Sequence, residues 1–208
     1  MEWYFDFISP YAYLQSQRDD VLHADNELIC RPVLFAGLLN HWGQLGPAEI
    51  PVKRQWTFEH ITWLAHRHGI PLMLPPEHPF NPIPLLRLCI AAGNTREVAD
   101  RLFCFVWQEG HLPADKSAFA NLCNEFNLQP NDVNADAVKA ALLANGKLAI
   151  EQGVFGVPTI IYNGQSFWGF DASDMLLDCL HATDHPDRWP AAKLQAARSL
   201  PDGLQRKR

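Results

Sequence analysis

Apolar and polar positions alternate over residues 2–8, with Trp3, Phe5 and Phe7 on one parity, and this predicts a β-strand that stops at Ser9-Pro10. Pro10 suits the first position of a helix, where its missing N–H costs nothing, and Ser9 then reads as the N-cap. The pattern turns amphipathic over residues 10–24, predicting a helix, and Leu28 to Val33 reads as a second strand. A crossover helix between neighbouring strands implies a parallel, right-handed β-α-β unit.

From about residue 35 to 152 the period becomes helical and is broken by prolines. The segments are LFAGLLNHW, KRQWTFEHITWLAHRHG, IPLLRLCIAAG, TREVADRLFCFVWQEG, KSAFANLCNEFN and NADAVKAALLANGKLAIEQG. Gly69, Gly93, Gly110 and Gly153 stand where helix C-caps are expected. The β-rich TIIY and QSFW then flank Asn163-Gly164, a strong hairpin signal, and Asp171 or Ser173 can cap a last helix through Leu180. One sheet is thus expected from sequence-distant parts, residues 1–34 and 153–183. A helical insertion domain, 35–152, lies between them, and a weakly ordered tail, 184–208, follows.

Composition narrows the function classes. A chain of 208 residues with 48% apolar content, seven Trp and twelve Phe can bury a core of its own. The net charge of −6, with local basicity confined to the terminal RKR, gives no footprint for nucleic acid. The opening MEWYFDF has no basic leader and no apolar stretch is long enough to cross a bilayer, so a cytoplasmic location is expected. The five cysteines are widely spaced and never in a CxxC pair, which indicates neither a disulfide framework nor a zinc site. The spacing of His60, His66, His68 and His78 matches no tight metal-ligand motif.

The order β-α-β…β-β-α, with a turn into a helix after the first strand and Val-Pro before the third, is that of the α/β thioredoxin-like fold. Ser9-Pro10-Tyr11-Ala12 sits where a disulfide oxidoreductase of the DsbA type carries Cys-Pro-x-Cys. With both cysteines absent, a dithiol cycle is excluded at this position. A hydroxyl at a helix start can instead donate to a thiolate supplied by a ligand, and glutathione is the abundant intracellular candidate.

Four segments in order carry a closer resemblance: FDFISPYAYL; PVLFAGLL followed by GQLGPAEIPVKRQW; GIPLMLPPEHPFN with the downstream LLRL; and GVFGVPTIIYNGQSFWGFD. Together they resemble the family of kappa-class glutathione transferases and 2-hydroxychromene-2-carboxylate isomerases. The resemblance implies that Ser9 hydrogen-bonds the glutathione sulfur, that Lys53 lies near the glutathione site, and that Val157 precedes a cis-proline, Pro158. It also implies that Asp171 holds the γ-glutamyl end. Read singly, Lys53 is a solvated charge, Asp171 an N-cap and Val157-Pro158 an ordinary strand entry. Three departures stand out: Gln44 where the family often has Asn, Trp56 where a tyrosine is usual, and Ala172 where the motif often ends in arginine.

Tyr11, Phe35, Trp56, Asn81 and Arg87 are the candidates for a substrate pocket, with Lys53 or Arg87 as the cation for a substrate carboxylate. The resemblance implies a homodimeric, glutathione-dependent isomerase acting on a small unsaturated aromatic carboxylate in aromatic-compound degradation. The alternatives are a kappa-class-like transferase and a non-catalytic module that binds glutathione or a peptide.

Overall fold

Strand β1 (Glu2–Phe5) is buried on both faces, and the rest of the fold follows from how those faces are covered. The computed structural model describes residues 1–22 and 27–200. On one side of β1, Trp3, Phe5 and the following Phe7 form an aromatic row with ring centroids 4.2 and 5.4 Å apart. Phe103 of helix α6 (Arg96–Trp107) closes on that row, 4.7 Å from Phe7. On the other side Tyr4 joins Val33, Leu38, Ala149, Val154 and Val157. Helices therefore cover both faces of the central strand.

The remaining early elements are α1 (Pro10–Ser16), α2 (Asp19–Leu22), β2 (Ile29–Pro32) and α3 (Phe35–Trp42). They are followed by α4 (Pro51–His68), α5 (Ile83–Ala91), α6, α7 (Lys116–Glu125) and α8 (Asp136–Glu151). Then come β3 (Thr159–Tyr162), β4 (Gln165–Trp168), α9 (Ser173–Leu180) and α10 (Ala191–Arg198). The sheet order is β2-β1-β3-β4. β1 pairs parallel with β2, as Trp3 with Cys30, and antiparallel with β3, as Trp3 with Ile160. The α/β thioredoxin-like layout expected from the sequence is the one observed, with helices α3–α8 on the six predicted helical segments.

Local chemistry accounts for the boundaries. Asn163 and Gly164 take φ of +47° and +71° between β3 and β4, as a two-residue type I′ hairpin requires. β1 stops at Phe5, earlier than the predicted residue 8, because Asp6 turns the chain: its carboxylate accepts from Ile8 N at 3.1 Å, and Ser9 N donates to the Asp6 carbonyl at 3.0 Å. The predicted helix over 10–24 ends at Ser16, whose hydroxyl donates to the Tyr13 carbonyl, and restarts at Asp19. Its predicted last residues, 23 and 24, lie outside the described ones.

By packing, the chain divides into two compact units, Met1–Ser173 and a second from Asp174 onward. The sheet and the helices of residues 35–152 share the first unit, whereas the division drawn from the sequence separates them by element type. In the second unit AAKLQAAR forms α10, where the sequence predicts a weakly ordered tail; Ala, Leu, Lys, Gln and Arg are strong helix formers. Residues 201–208, with the terminal RKR, lie outside the described residues.

Candidate functional site

Ser9 sits between two structures distant in sequence. It is the N-cap of α1 with extended backbone (φ −87°, ψ 114°), and its Oγ accepts from Ala12 N at 3.2 Å. The same Oγ lies 3.5 Å from the carbonyl oxygen of Val157, and the side chain is 7% exposed. The Val157–Pro158 peptide is cis, as expected from the sequence; a second cis bond, His78–Pro79, has no forewarning there. α1 is two turns long, shorter than predicted, so any help from its dipole comes from its first N–H groups.

The turn that presents Ser9 is held at every carbonyl. Trp107 Nε1 of α6 donates to the Phe7 carbonyl at 2.9 Å, and His78 Nε2 donates to the Ile8 carbonyl at 2.9 Å. Below them Asp6, fully buried, accepts from Ile8 N through one oxygen and from Phe35 N, 2.9 Å away at the start of α3, through the other. Burial raises the Asp6 carboxyl to about 7, against the pull of its backbone N–H donors toward the anion. Burial also depresses His78 below its ordinary value. Protonating His78 would place a second N–H at Nδ1, a buried atom without a hydrogen-bond partner among the described residues.

Tyr11, two residues into the motif, hydrogen-bonds through its hydroxyl to His60 Nδ1 of α4 at 2.9 Å. Burial first, and the Asp171 carboxylate second, push its phenol up to about 12, so it stays protonated at neutral pH. Trp56 stacks on His60 with centroids 4.5 Å apart, and Trp63 continues the stack at 6.2 Å. Phe35 packs against the cluster that contains Val157. Asp171 itself is exposed and lies over Gly169, whose N–H donates to the Pro158 carbonyl at 2.9 Å.

Ser9, Val157, Pro158 and Phe35 are thus linked by direct contacts and Asp171 joins them through Gly169, while Tyr11, two residues after Ser9 on α1, is tied to Trp56 through His60. Gln44, Lys53, Asn81 and Arg87 make no hydrogen bond to that cluster among the described residues. Gln44 and Lys53 are exposed, near the end of α3 and in the first turn of α4. Asn81 caps the start of α5 by accepting from Ile83 N at 3.1 Å, and Arg87 braces Asn134 at 2.9 Å. Those are the side-chain hydrogen bonds of Asn81 and Arg87 among the described residues.

Sequence reasoning passed over Asp6, and weighed His60 and His78 only as metal ligands. A lone acid inside FDFIS and a histidine four residues after Trp56 on one helix face were the available signals. A groove of about 590 Å³ runs along α4, lined by Phe58, Glu59, Thr62, Trp63, His66 and Leu74. Ser9, Val157 and Asp171 are not in its wall, so this apolar depression belongs to α4 and not to the space above Ser9. Among the described residues no three His, Cys, Asp or Glu side chains converge as a metal set, and no helix is long and apolar enough to cross a membrane.

Comparison with known proteins accords with this geometry. The family model described as DSBA-like thioredoxin domain matches residues 1–181. A 2-hydroxychromene-2-carboxylate isomerase of Pseudomonas putida is 28% identical over 185 residues, covering 85% of this chain and 91% of that protein. Glutathione S-transferase kappa 1 of Rattus norvegicus is 25% identical over 203 residues, covering 85% and 88%. A solved structure of a 2-hydroxychromene-2-carboxylate isomerase superposes with a TM-score of 0.77 at 25% identity, covering 96% of this chain and 98% of that one.

Proposed function

The chain belongs to the DSBA-like thioredoxin domain family, and on that premise we propose that it is a glutathione-dependent isomerase of the 2-hydroxychromene-2-carboxylate type. The observation that carries the proposal is the Ser9 hydroxyl beside the Val157 carbonyl, in a motif whose two thiol positions are Ser9 and Ala12. A site of this shape with no thiol of its own suits a thiol brought by a ligand. The names of the Pseudomonas putida and rat relatives support an enzyme and the use of glutathione.

In this reading the cysteinyl part of glutathione lies against Val157, whose backbone pairs with the tripeptide as a neighbouring strand would. Ser9 donates a hydrogen bond from its hydroxyl to the sulfur, favouring the thiolate. Asp171 accepts from the γ-glutamyl ammonium. The thiolate adds to the unsaturated ring of the chromene carboxylate and the ring opens. The new single bond rotates, and elimination of the thiolate leaves the trans benzylidenepyruvate and regenerates glutathione. Lys53 or Arg87 supplies the cation for the substrate carboxylate. The protein works as a soluble cytoplasmic homodimer.

The rat relative favours a second reading, a transferase that releases the thiol joined to an electrophile. Turnover with limiting glutathione separates the two. Many chromene turnovers per glutathione support the isomerase, and one conjugate per glutathione supports the transferase. No calorimetric binding at millimolar glutathione removes both.

A further inference from the structure

Gln15 is an amide in the middle of an otherwise apolar helix face. It lies six positions after Ser9, roughly 9 Å along α1 at 1.5 Å per residue. Its side chain is 1% exposed, and burying an amide is costly unless its polar atoms are paired. The pairing is complete at the nitrogen and extends far from the helix. Gln15 Oε1 accepts from Trp3 Nε1 of β1 at 2.9 Å. Gln15 Nε2 donates to the Gly169 carbonyl at 3.3 Å and to Ser173 Oγ at 3.2 Å.

Those last two partners flank Asp171, one two residues before it and the other two residues after. The loop is gripped on both sides of the acid by one side chain. Gly169 is also tied through its N–H to the Pro158 carbonyl at 2.9 Å, so the same residue joins the helix that bears Ser9 to the Val157–Pro158 turn. Asp171 is exposed and two residues from any of these anchors. Its place relative to Ser9 is therefore set by the loop, and the loop by Gln15.

We infer that Gln15 is a positioning residue for glutathione: by pinning the Gly169–Ser173 loop to α1, it fixes the spacing between the group that meets the γ-glutamyl end and the hydroxyl that meets the sulfur. The inference rests on the glutathione reading above. It assigns Gln15 to ligand affinity and leaves the thiolate chemistry to Ser9.

The test is calorimetric titration of the full chain with glutathione, with chromene turnover at saturating glutathione measured alongside. Gln15→Met keeps the length of the side chain and removes both loop bonds. It should weaken glutathione binding about tenfold, the scale of one to two lost hydrogen bonds, with kcat at saturation close to the parent. Ser173→Ala removes one loop bond, leaves the Trp3 contact, and should weaken binding several-fold; it serves if Gln15→Met fails to fold. In an Asp171→Ala background either change should have no further effect, because the acid they position is gone. Unchanged affinity in both variants, or full additivity with Asp171→Ala, overturns the inference while the glutathione reading stands. A parent that does not bind glutathione overturns both.

Discussion

The Ser9 hydroxyl faces the Val157 carbonyl at 3.5 Å, across 148 residues of chain, which is long for an O–H···O bond. A hydroxyl so weakly engaged can turn its proton to an incoming sulfur without giving up a strong bond. Its oxygen stays committed to Ala12 N as the helix cap. Capping and thiolate contact are therefore compatible in one side chain, since the first uses the lone pair and the second the proton.

Ser9→Ala separates those two uses. Loss of the cap should lower stability by about 1 kcal/mol, and loss of the donor should slow turnover about 10²–10³-fold and raise the pKa of bound glutathione. Thiolate absorbance of the complex against pH, measured with turnover, checks both. Turnover and thiol titration equal to the parent's would leave Ser9 as a cap alone.

Asp6 should impose a pH dependence on stability. Its carboxyl is raised from the ordinary 3.8 to about 7 in the folded protein by burial, so the folded chain holds a proton that the unfolded chain releases. The stability linked to that proton is full below about pH 4, falls as pH rises, and is lost once pH passes about 7. Asp6→Asn should flatten this part of the curve of urea midpoint against pH. It should also cost about 1–3 kcal/mol, because an amide offers one acceptor oxygen to the two N–H groups of Ile8 and Phe35. His78 remains in both proteins, so the difference isolates Asp6. Parallel curves would show that Asp6 ionises normally.

Gly169 is required where it stands. Its φ is +93°, and a Cβ there would come within 2.5 Å of Asp171 Oδ1. Gly169→Ala should destabilise the fold by about 1–3 kcal/mol and displace the Asp171 carboxylate. Thermal unfolding reads the first effect and glutathione affinity the second. Wild-type affinity in this variant would remove Asp171 from the ligand site.

The cysteines should be inert in the native protein. All five thiols are free, and burial raises each of them, Cys30 to about 12 and Cys89 well above its ordinary range. Thiolates are the reactive form, so alkylation near neutral pH should be slow until denaturant is added and then proceed at all five. A fast native thiol would contradict the burial of at least one of them.

The helices of residues 35–152 and the Asn163-Gly164 hairpin were legible because their signals are local. Periodicity, a glycine after the last turn and a two-residue loop with positive φ each act within a few positions. The end of β1 was not legible: FDFIS reads as a continued strand until Asp6 is seen to accept from Phe35 N, a partner 29 residues away. Gln15 and the bond from His78 to the Ile8 carbonyl escaped for the same reason, since a buried polar side chain is explained by whatever satisfies it. Family pattern located Ser9, Val157 and Asp171 in sequence. It could not foresee that Arg87 would be held by Asn134.

The central place of β1 in the sheet has a consequence for synthesis. β3, which pairs with it, is made last of its two neighbours, and at 5–20 residues per second the 148 positions from Ser9 to Val157 take roughly 7–30 s to emerge. Throughout that interval one edge of β1 has open hydrogen-bonding groups beside the row of Trp3, Phe5 and Phe7, the kind of edge that recruits a wrong strand. The early helices can form while the ribosome is still at work, but the sheet closes after the hairpin appears. Nascent chains stalled before residue 157 should therefore be the species that a holdase binds and that aggregates when none is present.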